Sequence, residues 1–150
     1  MKNRLACRVT ATWEGAGKGT VRAHEIAPTI HFSTPPEFYG DPGYWTPEHF
    51  LLAAVASCYM TTFHVLAEMS TLEFLGIGLV AEGKLGLPDG NLRLTEIVLK
   101  PTLTITQSQD QELADHLLAK AQQECRIASC LACPVHLEPL VQHAEEVLAH

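Results

Sequence analysis

The sequence predicts an α+β protein whose sheets are mainly antiparallel. Residues that alternate between apolar and polar occur in clusters, at residues 5–33, at 75–105 and near 135. Two helical segments interrupt these clusters, whereas a parallel sheet would need a helix after each strand. One of the two helices is apolar around its whole circumference, so we expect the sheets to lie around it.

The first cluster contains three predicted strands. Alternation over residues 5–13 predicts a half-buried strand, and the run Gly-Ala-Gly-Lys-Gly at 15–19 predicts a turn. A second strand is expected at about residues 20–25. A third is expected at 29–33, because the prolines at 35–36 cannot continue a strand.

The central helix begins at Thr46-Pro47, with threonine as the N-cap and proline at the first helical position. We expect it to end near Met69. Its middle, FLLAAVASCYM, must be covered on every side, and a small domain rarely wraps one helix completely. A second copy of the chain would provide the cover, so a homodimer is expected. The polar residues within positions 50–67, and their acidic flanks, disfavour a membrane span.

The second half of the chain begins with a predicted hairpin. Residues 75–81 alternate, residues 88–91 (Pro-Asp-Gly-Asn) predict a turn, and the return strand is expected at 92–105. The apolar alternation of the return strand changes phase between Leu94 and Ile97, which predicts a β-bulge.

A second helix and a last strand complete the predicted elements. Residues 108–111 (Ser-Gln-Asp-Gln) match a capping box. The helix that follows has one apolar stripe, formed by Leu113, Leu117, Leu118 and Ala121. Val135 and Leu137 predict the last strand.

Composition and charge exclude several classes of partner. Ten Lys+Arg against seventeen Asp+Glu give a net charge of −7, which disfavours nucleic acids and anionic membranes. The basic residues at the start of the chain are not followed by an apolar segment, so no secretory signal is expected. We therefore expect one cytoplasmic domain at 1–150.

Five cysteines in a protein without a signal peptide indicate a reducing compartment, where thiols catalyse reactions or bind metals more often than they form structural disulfides. Cys58 lies within the apolar helix, and by its spacing alone it would be an inert core thiol. It is twelve residues beyond the N-cap, too far for the helix dipole to act on it. A reactive Cys58 would therefore need a tertiary cation.

The other candidate ligands and nucleophiles lie near the C-terminus. Cys125, Cys130, Cys133 and His136 form a C-x4-C-x2-C-x2-H pattern that is compatible with zinc, although zinc ligands are usually spread over two separated loops. The chain has no phosphate loop, dinucleotide fingerprint, G-x-S-x-G or H-E-x-x-H motif, and no cofactor is predicted.

Two segments taken together resemble a known family. Residues 46–58, TPEHFLLAAVASC, resemble the P-E-x-L-x-x-A-x-x-S-C helix of the OsmC/Ohr family, the osmotically induced and organic hydroperoxide resistance proteins. Cys125-Arg126-Ile127-Ala128, with Leu131 and residues 135–139, resembles the family's second cysteine motif and final strand. Residues 13–21 are similar to the osmotically induced branch. The likeness covers nearly the whole chain.

This resemblance implies an OsmC-like fold, an intertwined homodimer with active sites at the subunit interface, and a thiol peroxidase active in the response to oxidative stress. Cys58 would be the peroxidatic cysteine that attacks an organic hydroperoxide and becomes a sulfenic acid. Cys125 would be the resolving cysteine that condenses with it to a disulfide. An external dithiol would then reduce the disulfide, and in that family the donor can be a lipoylated protein.

One family feature is missing. Family peroxidases carry an arginine in the first hairpin, which stabilises the thiolate and pairs with the glutamate of P-E. No arginine stands at that place here, and Lys18 and Arg22 are the nearest candidates to replace it. Lysine lacks the planar fork that binds a carboxylate through two hydrogen bonds. Glu48 matches the glutamate, although on an unbroken helix it would lie about 15 Å from Cys58.

Three classes of function therefore stay open. The resemblance favours a hydroperoxide reductase, and the missing arginine keeps open a non-catalytic redox-sensing or ligand-binding member of the same fold. A Cys/His metal-binding protein is the third. Within the first class, Cys130 and Cys133 compete with Cys125 for the role of resolving thiol.

Overall fold

A computed structural model describes residues 7–147 and shows a mixed α+β architecture, as predicted. The chain divides after Phe50 into two compact units.

The N-terminal unit contains a three-stranded antiparallel sheet of β1 (Val9–Gly15), β2 (Lys18–Ala23) and β3 (Ile30–Ser33). The β1–β2 turn has positive φ angles at Gly15 (98°), Ala16 (50°) and Gly17 (75°), a backbone that glycine adopts without strain. After β3, an aromatic cluster forms around Trp45. Its ring stacks on Phe50 with the centroids 5.4 Å apart, and its carbonyl accepts a hydrogen bond from Ser33 N–H at 2.9 Å.

The long helix α1 (Pro47–Met69) starts in the N-terminal unit and continues through the C-terminal one. Both ends agree with the prediction. Thr46 acts as the N-cap, since its carbonyl accepts the N–H of Phe50 at 3.2 Å. Its own N–H donates to His49 Nδ1 at 3.1 Å, so the histidine takes the part that glutamate plays in a capping box.

The C-terminal unit contains a four-stranded sheet with β5 (Arg93–Ile105) at its centre. The antiparallel hairpin partner is β4 (Phe74–Gly86). On its other edge β5 pairs, in parallel, with the short strands β6 (Val135–Leu137) and β7 (Leu140–His143). The sequence predicted one last strand, and the structure adds β7 and the short helix α3 (Ala144–Val147).

The predicted bulge in the hairpin is confirmed. Lys84 pairs with Glu96 and Leu85 with Leu94, which leaves Thr95 as the extra residue on β5. The Thr95 hydroxyl donates to the Lys84 carbonyl at 3.2 Å across the irregularity. The capping box predicted before the second helix, α2 (Gln111–Gln123), is wrong. Ser108–Asp110 form a separate 3₁₀ turn, and the N-cap Asp110 makes no side-chain capping bond.

The core of the C-terminal unit lies between α1, α2 and one face of β5. From α1 it takes one stripe at helical spacing, formed by Val55, Tyr59, Phe63, Leu66 and Ala67. The Tyr59 hydroxyl is buried and donates to the Leu118 carbonyl at 3.1 Å, so its burial leaves no polar group unpaired.

The opposite face of α1 is exposed in the single chain, although the sequence predicts a helix covered all round. It carries Ser57, Thr61, His64, Val65, Glu68 and Met69. Met69 is 77% exposed and Val65 is 51% exposed. By length and composition α1 could also cross a membrane, a test that the core helices of soluble proteins also pass.

Candidate active site

Two elements of the C-terminal unit bring Cys58 and Cys125 together. Cys58 lies on α1 three residues after Val55, at the edge of the buried stripe, and is half-buried. Cys125 follows the C-terminal end of α2 and is 1% exposed, with Sγ 3.9 Å from the Val55 carbonyl. The Cys125 thiol is a hydrogen-bond donor to the Cys58 sulfur. The two cysteines that the resemblance pairs are therefore neighbours.

Backbone N–H groups surround the Cys58 sulfur. Beyond α2 the chain turns sharply, and Ala128–Cys130 form a single 3₁₀ turn. The N–H groups of Arg126 and Ile127 have no backbone acceptor among residues 7–147. Both act as hydrogen-bond donors to Cys58. Consecutive N–H groups that converge in this way favour a negative charge.

The pKa of the Cys58 thiol results from opposing effects. Burial raises it, while hydrogen bonds from the Ile127 N–H, the Cys125 thiol and the Arg126 N–H lower it, and the nearby Thr62 hydroxyl contributes the least. The hydrogen bonds prevail, and the pKa of Cys58 lies below the ordinary value of a thiol. A larger fraction of Cys58 is therefore thiolate, the nucleophilic form, than for an ordinary thiol.

The pKa of Cys125 moves in the opposite direction. Burial raises it, the Ala128 N–H opposes that rise, and the adjacent Cys58 adds to it. Cys125 therefore stays protonated while Cys58 ionises, and its proton is available to the Cys58 sulfur. This difference in acidity sets a chemical order, in which Cys58 reacts first and Cys125 second.

A groove of about 410 Å³ lies close to Cys58, which is not itself part of its lining. Thr62 and Arg126 belong both to its lining and to the surroundings of the Cys58 thiol, and the Thr62 hydroxyl also donates to the Cys58 carbonyl at 2.8 Å. Beyond them, the groove is lined by the apolar side chains of Val65, Leu66 and Met69 and by Lys120 and Glu124. An apolar group attached to a reacting centre at Cys58 would fit there.

The three charged residues suggested by the resemblance belong to the N-terminal unit. Lys18 forms an ion pair with Asp41, and its Nζ lies 5.1 Å from the centre of the Tyr44 ring. Hydrogen bonding to Asp41 raises the pKa of Lys18. Arg22 is exposed on β2, and Glu48 is half-buried in the first turn of α1. Within residues 7–147 Arg22 and Glu48 form no ion pair with each other, and an action of these three residues on Cys58 stays a prediction.

Two further cysteines, Cys130 and Cys133, follow Cys125 in the chain. Cys130 is exposed, and its Sγ lies 3.2 Å from the Arg126 carbonyl oxygen. Cys133 packs against the core, and His136 Nε2 on β6 lies 4.0 Å from a carboxylate oxygen of Glu96. Across the described residues, no group of three or more His, Cys, Asp or Glu side chains is arranged to hold a metal ion.

The N–H groups of Arg126 and Ile127 and the hydroxyl of Thr62 were not predicted from the sequence. Every residue except proline carries an N–H, so no residue type marks one that faces a sulfur. Thr62 was visible as a polar residue four positions after Cys58, a spacing that places it on the same helix face.

Comparison with known proteins identifies relatives of similar length and fold. The sequence model described as OsmC-like protein matches residues 40–139. The uncharacterised protein YmaD of Bacillus subtilis is 30% identical over 134 residues, which cover 85% of this chain and 87% of YmaD.

Solved structures share the fold. An OsmC-like protein of unknown function from Vibrio cholerae superimposes with a TM-score of 0.81 at 20% identity, covering 90% of this chain and 99% of that one. An organic hydroperoxide resistance protein OsmC from Legionella pneumophila, also described as a predicted redox protein, gives a TM-score of 0.74 at 21% identity. That match covers 94% of this chain and 99% of the Legionella one.

Proposed function

This chain belongs to the OsmC-like protein family, and from that membership and its paired thiols we propose that it is a cysteine-based peroxidase that reduces organic hydroperoxides. The observation that carries the proposal is that Cys58 and Cys125 are neighbours against the same core, and the opposite directions of their pKa shifts support it. A relative of the same fold is described as an organic hydroperoxide resistance protein, which supports the same substrate class.

In the proposed first step, the Cys58 thiolate attacks the terminal oxygen of the hydroperoxide. The O–O bond breaks, Cys58 becomes a sulfenic acid, and the departing alkoxide takes a proton to become an alcohol. Cys125, which lies beside Cys58, loses its proton and attacks the sulfenic sulfur. Water leaves, and a Cys58–Cys125 disulfide remains.

An external dithiol closes the cycle. It attacks the disulfide, returns both cysteines to thiols and is itself oxidised to a disulfide. The net reaction converts one hydroperoxide and one dithiol into one alcohol, one water and one disulfide. We propose a lipoylated protein as one source of the dithiol, in agreement with the family resemblance.

The surroundings of Cys58 offer a substitute for the missing family arginine. The N–H groups of Arg126 and Ile127 hydrogen bond to the sulfur and require no formal charge nearby. Hydrogen bonds to a charged group contribute about 1.5–3 kcal/mol each. Lys18, Arg22 and Glu48 are proposed as further contributors.

The groove supports an organic substrate over hydrogen peroxide. The apolar side chains of Val65, Leu66 and Met69 would gain from covering an alkyl or aryl group, by about 25 cal/mol for each Å² removed from water. Hydrogen peroxide has no such group and would gain nothing from this surface.

The deciding experiment is steady-state turnover with a dithiol and either cumene hydroperoxide or hydrogen peroxide. We expect catalytic consumption of the organic peroxide and slower consumption of hydrogen peroxide. The variant Cys58→Ser should be inactive, because a serine hydroxyl is far less acidic and forms no sulfenic acid. Cys7→Ser is the matched control, since Cys7 is an exposed thiol of the N-terminal unit, and it should keep full activity.

The missing arginine favours a second candidate, a redox sensor that is oxidised once and not recycled efficiently. The same assay separates the two functions. A sensor would consume one equivalent of peroxide per Cys58 and then stop, even with dithiol in excess. Full turnover by Cys58→Ser would contradict both candidates.

A further inference from the structure

One peptide group connects the Cys58 sulfur to two side chains that the proposed mechanism does not use. It joins Arg126 to Ile127. Its N–H, carried by Ile127, faces the Cys58 sulfur. Its oxygen, carried by Arg126, accepts a hydrogen bond from Ser129 Oγ at 2.7 Å and one from Cys130 Sγ at 3.2 Å.

A trans peptide group is planar, and its N–H and C=O point in opposite directions. Side-chain donors on the oxygen therefore fix the direction in which the N–H points. The residues of this peptide are exposed and lie between α2 and the following 3₁₀ turn, outside the regular hydrogen bonds of a helix. Backbone hydrogen bonds of the turn, from Ser129 N–H to Cys125 and from Cys130 N–H to Ile127, restrain the peptide as well, and the two side-chain donors add to that restraint.

We propose that Ser129 and Cys130 are positioning residues for the Cys58 thiolate, and that they act by holding and polarising the Arg126–Ile127 peptide. The consequence for catalysis rests on the proposed function, whereas the effect on the thiol itself does not. Neither side chain would touch the substrate or the reacting sulfur.

The two donors differ in strength. A hydroxyl is a full hydrogen-bond donor and a thiol is a weak one, so Ser129 should dominate. Ser129 is also fixed through its main chain, because its N–H donates to the Cys125 carbonyl at 3.1 Å. A donor on the carbonyl oxygen withdraws electron density from the peptide, and each added bond strengthens the next by roughly 10–30%.

The charged and titratable groups around Cys58 stay in place in the proposed variants. Among the described residues these are the Cys125 thiol, which donates to Cys58, and Lys120, Glu124 and Arg126 along the groove. Substitutions at 129 remove no charge, so a change in the titration of Cys58 would report on the peptide.

The test is the pH dependence of iodoacetamide alkylation at Cys58, measured by mass spectrometry of the Cys58 peptide in the full chain. Ser129→Ala should raise the midpoint of this pH dependence by about 0.5 pH unit, which corresponds to about threefold less thiolate at low pH. Ser129→Thr keeps the hydroxyl and should restore the wild-type profile. Both variants should melt at the wild-type temperature, because position 129 is exposed.

The second pair of variants keeps the test decisive if Ser129→Ala folds poorly. Cys130→Ala should raise the midpoint by a smaller amount, and Cys130→Ser, which supplies a stronger donor, should not raise it. Unchanged profiles in Ser129→Ala and Cys130→Ala would overturn the proposal, as would equal shifts in Ser129→Thr and Ser129→Ala. Alkylation needs no peroxide, so an inactive protein that shows the expected shifts would contradict the proposed function alone.

Discussion

At the scale of single residues, the two thiols differ in environment more than in position. Both border the same core, yet Cys58 accepts hydrogen bonds from backbone N–H groups while burial dominates at Cys125. Cys58 is therefore the more acidic of the two thiols, and Cys125 stays protonated to higher pH. Hydrogen bonds to the thiolate lower the pKa of a cysteine, whereas removal of the sulfur from water raises it.

The first residue-scale prediction concerns Cys125→Ser. This variant should still oxidise Cys58 once, because the attack on peroxide needs only Cys58 and its hydrogen-bond donors. Its dithiol-dependent turnover should fall by about tenfold or more, because the disulfide that the dithiol reduces can no longer form. Mass spectrometry of peroxide-treated wild-type protein should show a Cys58–Cys125 bridge. A bridge from Cys58 to Cys130 or Cys133 would assign the resolving role to that residue.

The second concerns pH and the missing arginine. Thiolate increases as pH rises through the pKa, and a lowered pKa moves that rise to lower pH. Alkylation of Cys58 should therefore reach half its maximal rate at a lower pH than that of an ordinary thiol. If Arg22 and Lys18 also stabilise the thiolate, Arg22→Ala should move this midpoint upward and Lys18→Ala should move it less. If neither variant changes the pH dependence of Cys58 alkylation, Arg22 and Lys18 do not stabilise the thiolate.

At the scale of elements, α1 combines two roles along one helix. Its buried stripe holds the C-terminal unit together, and Cys58 stands at the edge of that stripe, where a groove begins. The helix fixes the Cys58 sulfur, and the turn after α2 brings the donors to it. Stability of this packing is therefore a condition for the geometry of the site.

The element-scale prediction is Phe63→Ala. Phe63 is fully buried and meets Phe74 edge to face, with ring centroids 5.6 Å apart. Its removal should lower the free energy of unfolding by about 3–5 kcal/mol, because a cavity remains in the core. The neighbouring His64→Ala is the control and should change it by less than about 0.5 kcal/mol, since His64 is exposed. Chemical denaturation measures the free energy of unfolding of both variants. Similar losses in the two would contradict the packing described.

At the scale of the whole molecule, the exposed face of α1 supports the proposal of an intertwined homodimer. A surface that exposes Val65 and Met69 on one long helix is costly in water, and a second copy beside the groove would reduce that exposure, with the groove at the subunit interface as the resemblance implies. We also propose that residues 1–150 form one OsmC-like domain, because the matched segment 40–139 extends across the boundary between the two units.

The whole-molecule prediction is a dimeric mass at micromolar concentration, measured by light scattering after size-exclusion chromatography. Val65→Glu should shift the mass toward a monomer, because it places a charge on the face that the partner would cover. Leu87→Glu is the control, since Leu87 is 63% exposed in the β4–β5 hairpin, and it should leave the mass unchanged. A monomeric wild-type protein would contradict the homodimer.

The order of the elements and several of their boundaries follow from the amino-acid sequence alone. The start of α1 at Thr46-Pro47 and the bulge near Thr95 could be predicted, because capping and alternation depend on residues close together in the chain. The sequence also carried the two cysteine motifs that indicated the family. The capping box predicted at 108–111 shows the limit of such local patterns. Residues 108–110 form a 3₁₀ turn instead, in which the Gln111 N–H donates to the Ser108 carbonyl and no side chain caps the helix.

Which face of α1 is buried and which groups surround Cys58 depend on tertiary packing. A helix that is apolar all round contains no periodic signal for its orientation, so the packing partners select the stripe around Tyr59. The donors to Cys58 are mainly backbone N–H groups of Arg126 and Ile127, which every non-proline residue possesses. Their effect arises from folding a turn nearly seventy residues away against α1, and no local pattern in the sequence encodes that meeting.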